Sequence, residues 1–347
     1  MRSHPRLKRH FALVAHDPDV VEIRNGTWNV VSYTLTDEKR TGKLFALLDG
    51  LDGTISAADL ALRQEVSRSD VESLIDHLVQ LGVIEFGPGT SFDYYLDQFA
   101  SPLAFQGHPV QAAREIALVG DEALCGEIRD LITETMSDAR LVERSRLAPL
   151  EALLAQTDYS WLFDGLETER RMASIADLAG TFVIVADRAV HPVRLQVMNR
   201  VALHHRLPWM QAAIDGPQLL IGPIVDPPHT ACFECFETRM LMNAREAAPY
   251  VAYKRLLARG AVRPGGQAME RVLGTMVAAH AALEALNFLL TGTSFTRGKV
   301  LGIYLPTMEV SFNEVLQVPG CAGCAPVPES SEEELHFDMR SLLLAPP

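Results

Sequence analysis

Two Cys-x-x-Cys pairs constrain this chain more than any other feature: Cys232 with Cys235, and Cys321 with Cys324, separated by 85 residues. Each pair sets two thiolates on one tight turn. Two such turns complete a tetrahedral shell with metal–sulfur bonds of about 2.3 Å. The separation is far longer than in a ribbon-type finger, so the intervening fold must bring the halves together. Pro319, Gly320 and Gly323 suit a knuckle turn. Four thiolates leave no open coordination position, so the expected ion is a structural Zn2+. A redox dithiol and unpaired core cysteines are the competing readings. Cys125, the fifth cysteine, reads as a lone buried thiol.

The pairs sit in a segment with an α/β rhythm. Residues 115–120 and 181–186 read as buried strands, with helices at 124–136, 149–155 and 193–205. Residues 140–143, 209–214 and 219–224 read as further strands, 236–292 as largely helical, and 300–318 as strands again. Such alternation implies a mostly parallel, doubly wound sheet. A nucleotide-binding sheet of this kind has a glycine-rich turn after its first strand. Here that turn reads Gly120, Asp121, Glu122, Ala123, Leu124, Cys125, Gly126, with two carboxylates that would repel a triphosphate. No Walker A run occurs.

Before it, residues 7–86 form a separate pattern. Strands are expected at 11–15 and 20–24, and Asn25-Gly26 signals a two-residue hairpin. The next strand is expected over 27–34: Thr27, Trp28, Asn29, Val30, Val31, Ser32, Tyr33 and Thr34. Helices follow at 43–51, at 56–63 with Ser56 as N-cap, and from Ser69 as cap to Gly82. The third carries Val71, Leu74, Ile75 and Leu78 on one apolar stripe, and a last strand spans 83–86. The unit is a small winged-helix-like module. DNA binding is the first thought for such a module, but Asp70, Glu72 and Asp76 on the third helix oppose phosphate. An extended peptide pairing with strand 27–34 is the other reading, with Val71, Leu74, Ile75 and Leu78 as an apolar wall. The same stripe is equally readable as the module's own core.

Composition narrows the partners. With 31 basic and 44 acidic side chains, the net charge of −13 excludes duplex nucleic acid and an anionic membrane surface as natural partners. The apolar run 11–15 is too short for a signal-peptide core. The run 272–290 contains His280, Glu284 and Asn287, which favours a buried helix over a membrane span. A cytoplasmic protein is expected. Residues 87–91 read as a linker, and the tail after Cys324, with Glu332, Glu333 and Glu334, as loosely attached or docked elsewhere.

Together these residues resemble a known family. The run Leu47, Leu48, Asp49, Gly50, Leu51, Asp52, Gly53, Thr54 is similar to the PqqD-like leader-recognition element of ribosomal-peptide natural-product pathways. Gly222-Pro223, Pro227, Thr230-Ala231-Cys232, Cys235 and Arg239 resemble the zinc segment of E1-like (ThiF-like) proteins of azole-forming cyclodehydratases, and Cys321 and Cys324 match its second pair. The resemblance implies three parts: a PqqD-like module over 1–90, an E1-like domain with a four-cysteine zinc site over 91–327, and an acidic tail over 328–347. It implies binding of a precursor leader peptide and presentation of its core to a YcaO-type partner. That partner uses ATP to cyclise Cys, Ser or Thr to azolines. This chain would itself be non-catalytic and homodimeric through the α/β domain, with the run 272–290 offering the surface. Asp187, Arg194 and Asn199 resemble a remnant of the E1 helix. The alternatives are an active E1-like adenylyltransferase acting on a peptide C-terminus and a DNA-binding regulator.

Overall fold

Strand β7 (Thr181–Asp187) is buried at all seven positions, as a strand must be when both faces of its sheet are covered. A computed structural model places it next to the end of a six-stranded sheet, and describes residues 4–28, 31–86, 115–136, 139–175, 178–263 and 271–325. The chain forms two units, residues 1–105 and 106–347.

In the second unit β6 (Glu115–Gly120), β7 and β8 (Trp209–Asp215) are parallel, and β9 (Gln218–Ile221), β10 (Lys299–Tyr304) and β11 (Glu309–Glu314) continue the sheet antiparallel. The sheet is therefore half parallel, not mostly so. The physical reason is the short β8–β9 turn, where Gly216 takes φ +54° and leaves no length for a crossover. The expected strand at 140–143 is a single bridge from Leu141 to Ile116.

Alternate residues feed two cores. Val183, Val185 and Trp209 face helices α5 (Arg144–Leu154), α6 (Gly165–Ala173), α7 (Pro192–His205), α8 (Phe233–Asn243) and α9 (Ala248–Ala258). Phe182, Ile184 and Met210 face α4 (Glu122–Thr135) and α10 (Arg271–Thr291). Helix α10 is long and apolar enough to cross a membrane, yet Ala278, Ala281, Ala282 and Ala285 are buried under the sheet. The apolar run expected to offer a surface to a second copy lies largely inside its own unit. Pro149 falls inside α5 rather than at its start.

The first unit has its own core of Val21, Ile23, Leu48, Leu60, Val71 and Leu78. Strands β2 (Ala12–Asp17), β3 (Val20–Asn25) and β4 (Val31–Thr36) form a sheet in the order β2-β3-β4. Asn25 pairs with Val31, so five residues separate the strands and the expected two-residue hairpin is corrected. Gly26, at φ +89°, turns the chain out of the ladder, and the Arg24 guanidinium holds the Gly26 and Thr27 carbonyls. Helices α1 (Leu44–Asp49), α2 (Ala57–Arg63) and α3 (Arg68–Gln80) follow. Ser56 caps α2 as expected, accepting from Asp59 N–H at 3.1 Å. The cap of α3 is Ser67 rather than Ser69, accepting from Asp70 N–H at 3.1 Å. An unexpected strand, β1 (Pro5–Leu7), pairs with β5 (Ile84–Phe86). It also ties to the 47–54 run, through Leu7 N–H to Leu51 O at 2.8 Å and Gly53 N–H to Pro5 O at 3.2 Å.

Candidate metal centre and its surroundings

The loop from Gly222 to Cys232 is what aims the first cysteine pair. Gly222, at φ +80°, packs so closely that a Cβ would lie 2.9 Å from the Lys299 carbonyl and from Thr296. Asp226 accepts from Arg297 Nη2 at 2.8 Å and its N–H donates to Thr230 Oγ1 at 2.8 Å, locking the turn that delivers Cys232 to the start of α8.

There the four thiols converge. Cys232 and Cys321 Sγ lie 3.7 Å apart, Cys235 and Cys324 Sγ 3.5 Å, and all four within 4.8 Å of one another. A tetrahedral ion with bonds of about 2.3 Å needs sulfurs about 3.8 Å apart, so the set is spaced to hold a metal ion. Three donors point at sulfur: Val318 N–H to Cys235 (3.3 Å), Gly323 N–H to Cys321 (3.4 Å) and Gln317 Nε2 to Cys324 (3.5 Å). Burial pushes the Cys232 thiol up, and Cys235 up to about 11. At Cys324 burial also opposes ionisation, but hydrogen bonds led by that of Gln317 outweigh it and hold the thiol below its usual range. A bare cluster therefore resists carrying several charges, and a cation would replace the protons.

A polar shell fastens the two turns. Arg200 on α7 meets Glu234 at 2.9 Å and donates to the Ala322 carbonyl at 3.2 Å, linking the first pair to the second. Arg239 donates to the Leu316 and Gln317 carbonyls at 2.6 and 3.1 Å. Asn199 Oδ1 accepts from Phe233 N–H at 3.0 Å and so serves the N-terminus of α8. Asp187 and Arg194 form their own pair at 3.0 Å. Burial raises the Asp187 carboxyl against the pull of Arg194. Asn199 thus works with the cysteine turns, apart from Asp187 and Arg194.

The turn after β6 has a different character. Gly120 takes φ +127°, and a Cβ there would sit 2.1 Å from the Ala186 carbonyl, so only glycine fits. Asp121 accepts from Leu124 N–H at 3.0 Å and meets Arg188 Nε at 2.9 Å. Its carboxylate occupies the helix end where a phosphate binds in nucleotide-binding sheets. The neighbouring cleft of about 190 Å³ is lined in part by Glu122 and Glu151. Cys125 in that cleft is pushed up to about 12, by burial first and then by Asp187 and Asp121.

Among the described residues β4 pairs only with β3, which leaves its other edge open. Tyr33 and Leu35 pack toward the core, Ser32 and Thr34 are exposed, and Val31 is 53% and Trp28 96% exposed. Thr27 and Trp28 belong to the loop that precedes β4, while Asn29 and Val30 lie outside the described residues. Val71, Ile75 and Leu78 are buried in the unit's own core, and Leu74 is half-buried.

No family model and no curated protein matches the chain. Solved structures do. The heterocyclase TruD is 16% identical with a TM-score of 0.64, over 93% of this chain and 43% of that one. A heterocyclase in complex with substrate and cofactor is 15% identical with a TM-score of 0.63, over 93% and 39%. E. coli MccB with ATP is 15% identical with a TM-score of 0.50, over 92% and 99%. This chain spans about two-fifths of the length of the heterocyclase chains it matches. The likeness establishes the E1-like fold expected from the sequence.

Proposed function

We propose that this chain binds the leader of a ribosomally made precursor peptide and presents its core to a YcaO-type partner for ATP-dependent cyclisation of Cys, Ser or Thr to azolines. The observation that carries the reading is that the likeness to heterocyclases covers 93% of the chain, which takes in both units. The first unit acts as the PqqD-like element. An extended leader adds to the open edge of β4 along Val31, Ser32, Tyr33 and Thr34, where backbone hydrogen bonds supply affinity. Trp28 at the mouth of the edge and Leu74 on α3 supply side-chain contacts, while Val71, Ile75 and Leu78 support the helix from within. The ion held by the four cysteines is a structural zinc. The chain is cytoplasmic, works as a homodimer and leaves ring closure to its partner.

The Asp121 carboxylate at the α4 N-terminus argues against the alternative, an adenylyltransferase. Pyrophosphate exchange by the purified chain would favour that alternative. The direct test is fluorescence anisotropy of a labelled leader peptide with the full chain. Val31→Pro should weaken binding at least tenfold if its N–H faces the open edge, and Val31→Ala should leave it nearly intact. Undiminished binding by both Val31→Pro and a chain lacking residues 1–86 would end the proposal.

A further inference from the structure

Four carboxyl side chains are buried among the described residues, and three of them face an arginine: Asp187 with Arg194, Asp226 with Arg297, and Glu234 with Arg200. The fourth, Glu284 on α10, is 3% exposed and has no ion pair among the described residues. A carboxyl buried without a cation is costly unless hydrogen bonds replace the lost water. Glu284 Oε2 accepts twice from one residue, from the Thr296 N–H at 2.7 Å and the Thr296 hydroxyl at 2.6 Å. Burial raises the carboxyl, and the bonds from Thr296 oppose that rise. Its neighbours on the helix, Ala281, Ala285 and Phe288, are buried and apolar, so packing alone would be met by leucine at this position.

The partner residue explains what the acid does. Thr296 is fully buried in the loop 292–298, which joins α10 to β10. That loop is bonded to the approach of both cysteine pairs. On one side the Thr296 carbonyl accepts from Ile224 N–H at 2.8 Å, and Gly298 N–H donates to the Ile224 carbonyl at 3.0 Å. Arg297, the next residue, holds Asp226 in the turn that leads through Thr230 to Cys232. On the other side Val315 N–H donates to the Gly298 carbonyl at 2.8 Å, in the stretch that leads from β11 to Cys321. Glu284 is the side chain that fastens this shared loop to a long helix.

We infer that Glu284 is a positioning residue of the metal centre. Its carboxyl fixes the loop 292–298 to α10, and the loop in turn holds both cysteine turns at the sulfur spacing an ion needs. The effect passes through Thr296 and Arg297 rather than by ligation. The inference rests on the reading of the four cysteines as a metal centre.

The test uses the full chain loaded with cobalt(II), whose visible absorption reports tetrahedral sulfur ligation, and a chelator that competes for the ion. Glu284→Leu removes the acceptor at similar volume. It should weaken cobalt binding about tenfold, the loss usual for groups that support ligands from behind, and should alter the spectrum. Glu284→Gln keeps an acceptor and should retain the wild-type spectrum and nearly all the affinity. Val277→Ala, at a buried apolar position on the same helix, should lower the urea midpoint and leave cobalt affinity and spectrum unchanged. If Glu284→Leu does not fold, Thr296→Val makes the same comparison; it loses one of the two bonds and should weaken cobalt binding about threefold. Wild-type affinity in the variant that decides, an equal loss in Val277→Ala, or Glu284→Gln as weak as Glu284→Leu would overturn the inference alone. A wild-type chain that takes up no cobalt would overturn the metal centre and this inference with it.

Discussion

Two helices of the α/β unit start where the sheet delivers them, and each N-terminus faces negative charge, yet by opposite means. Helix α4 is closed from within: Asp121 caps it and Arg188 balances the carboxylate. Helix α8 begins at Cys232, whose side chain makes no cap bond; its first N–H is served by Asn199 from another helix, and its two sulfurs, of Cys232 and Cys235, face two more. The first end is complete as the chain stands, and the second presents four thiols spaced to hold an ion. One helix end is thus closed by a side chain of its own, and the other is built to share its charge with residues distant in sequence.

The largest effect is expected where the chain depends on the ion. Cys235→Ser or Cys321→Ser should cost several kcal/mol, because metal binding at a closed site of four thiolates is folding energy. Metal analysis should give about one zinc per wild-type chain and much less in either variant. A fully stable metal-free chain would erase the contrast. The opposite end should respond far less. Asp121→Ala should cost about 1 kcal/mol, the usual worth of an N-cap, and should also unmask the helix end. ATP or phosphate should then raise the melting temperature of the variant and not of the wild type, and equal responses would show that Asp121 closes nothing.

A third helix end sharpens the comparison through its dependence on pH. Helix α7 is capped by a neutral acceptor, His191 Nδ1, which receives Arg194 N–H at 3.2 Å. Burial, helped by Arg194, lowers this imidazole to about 4. An unfolded His titrates near 6.5, so between pH 6.5 and 4 the unfolded chain binds a proton that the native chain refuses. Stability should fall as pH drops through that window, and His191→Gln should flatten the fall in urea titrations at stepped pH.

The ligands of the metal centre were legible because Cys-x-x-Cys is a local pattern. Their fastening was not. Arg200 reaches Glu234 and Ala322, and Arg239 reaches residues 316 and 317, partners that sequence spacing does not reveal. The same limit explains β1: Pro5–Leu7 is too short to carry a period of its own, and its partner β5 lies at the far end of the unit. Local chemistry misled in two places. Ser67 and Ser69 are both competent caps, and the one whose oxygen reaches Asp70 N–H prevails. Asn25-Gly26 is a strong turn signal, but the Arg24 guanidinium holds a longer loop. The α3 stripe was legible as apolar, while its burial depended on strands distant in sequence.

The wide spacing of the two cysteine pairs has a consequence for the order of events during folding. Between Cys235 and Cys321 the chain must lay down α9, α10, β10 and β11 before the second turn can meet the first. The four sulfurs become a single site only once the last strands have joined the sheet. A refolding chain should therefore take up an ion tightly only after the antiparallel half is complete, and metal uptake that precedes the recovery of sheet signal in stopped-flow refolding would contradict this order. One Cys-x-x-Cys turn alone offers two sulfurs where a closed tetrahedral site needs four, so a tight site exists only when both ends of this 85-residue interval are in place.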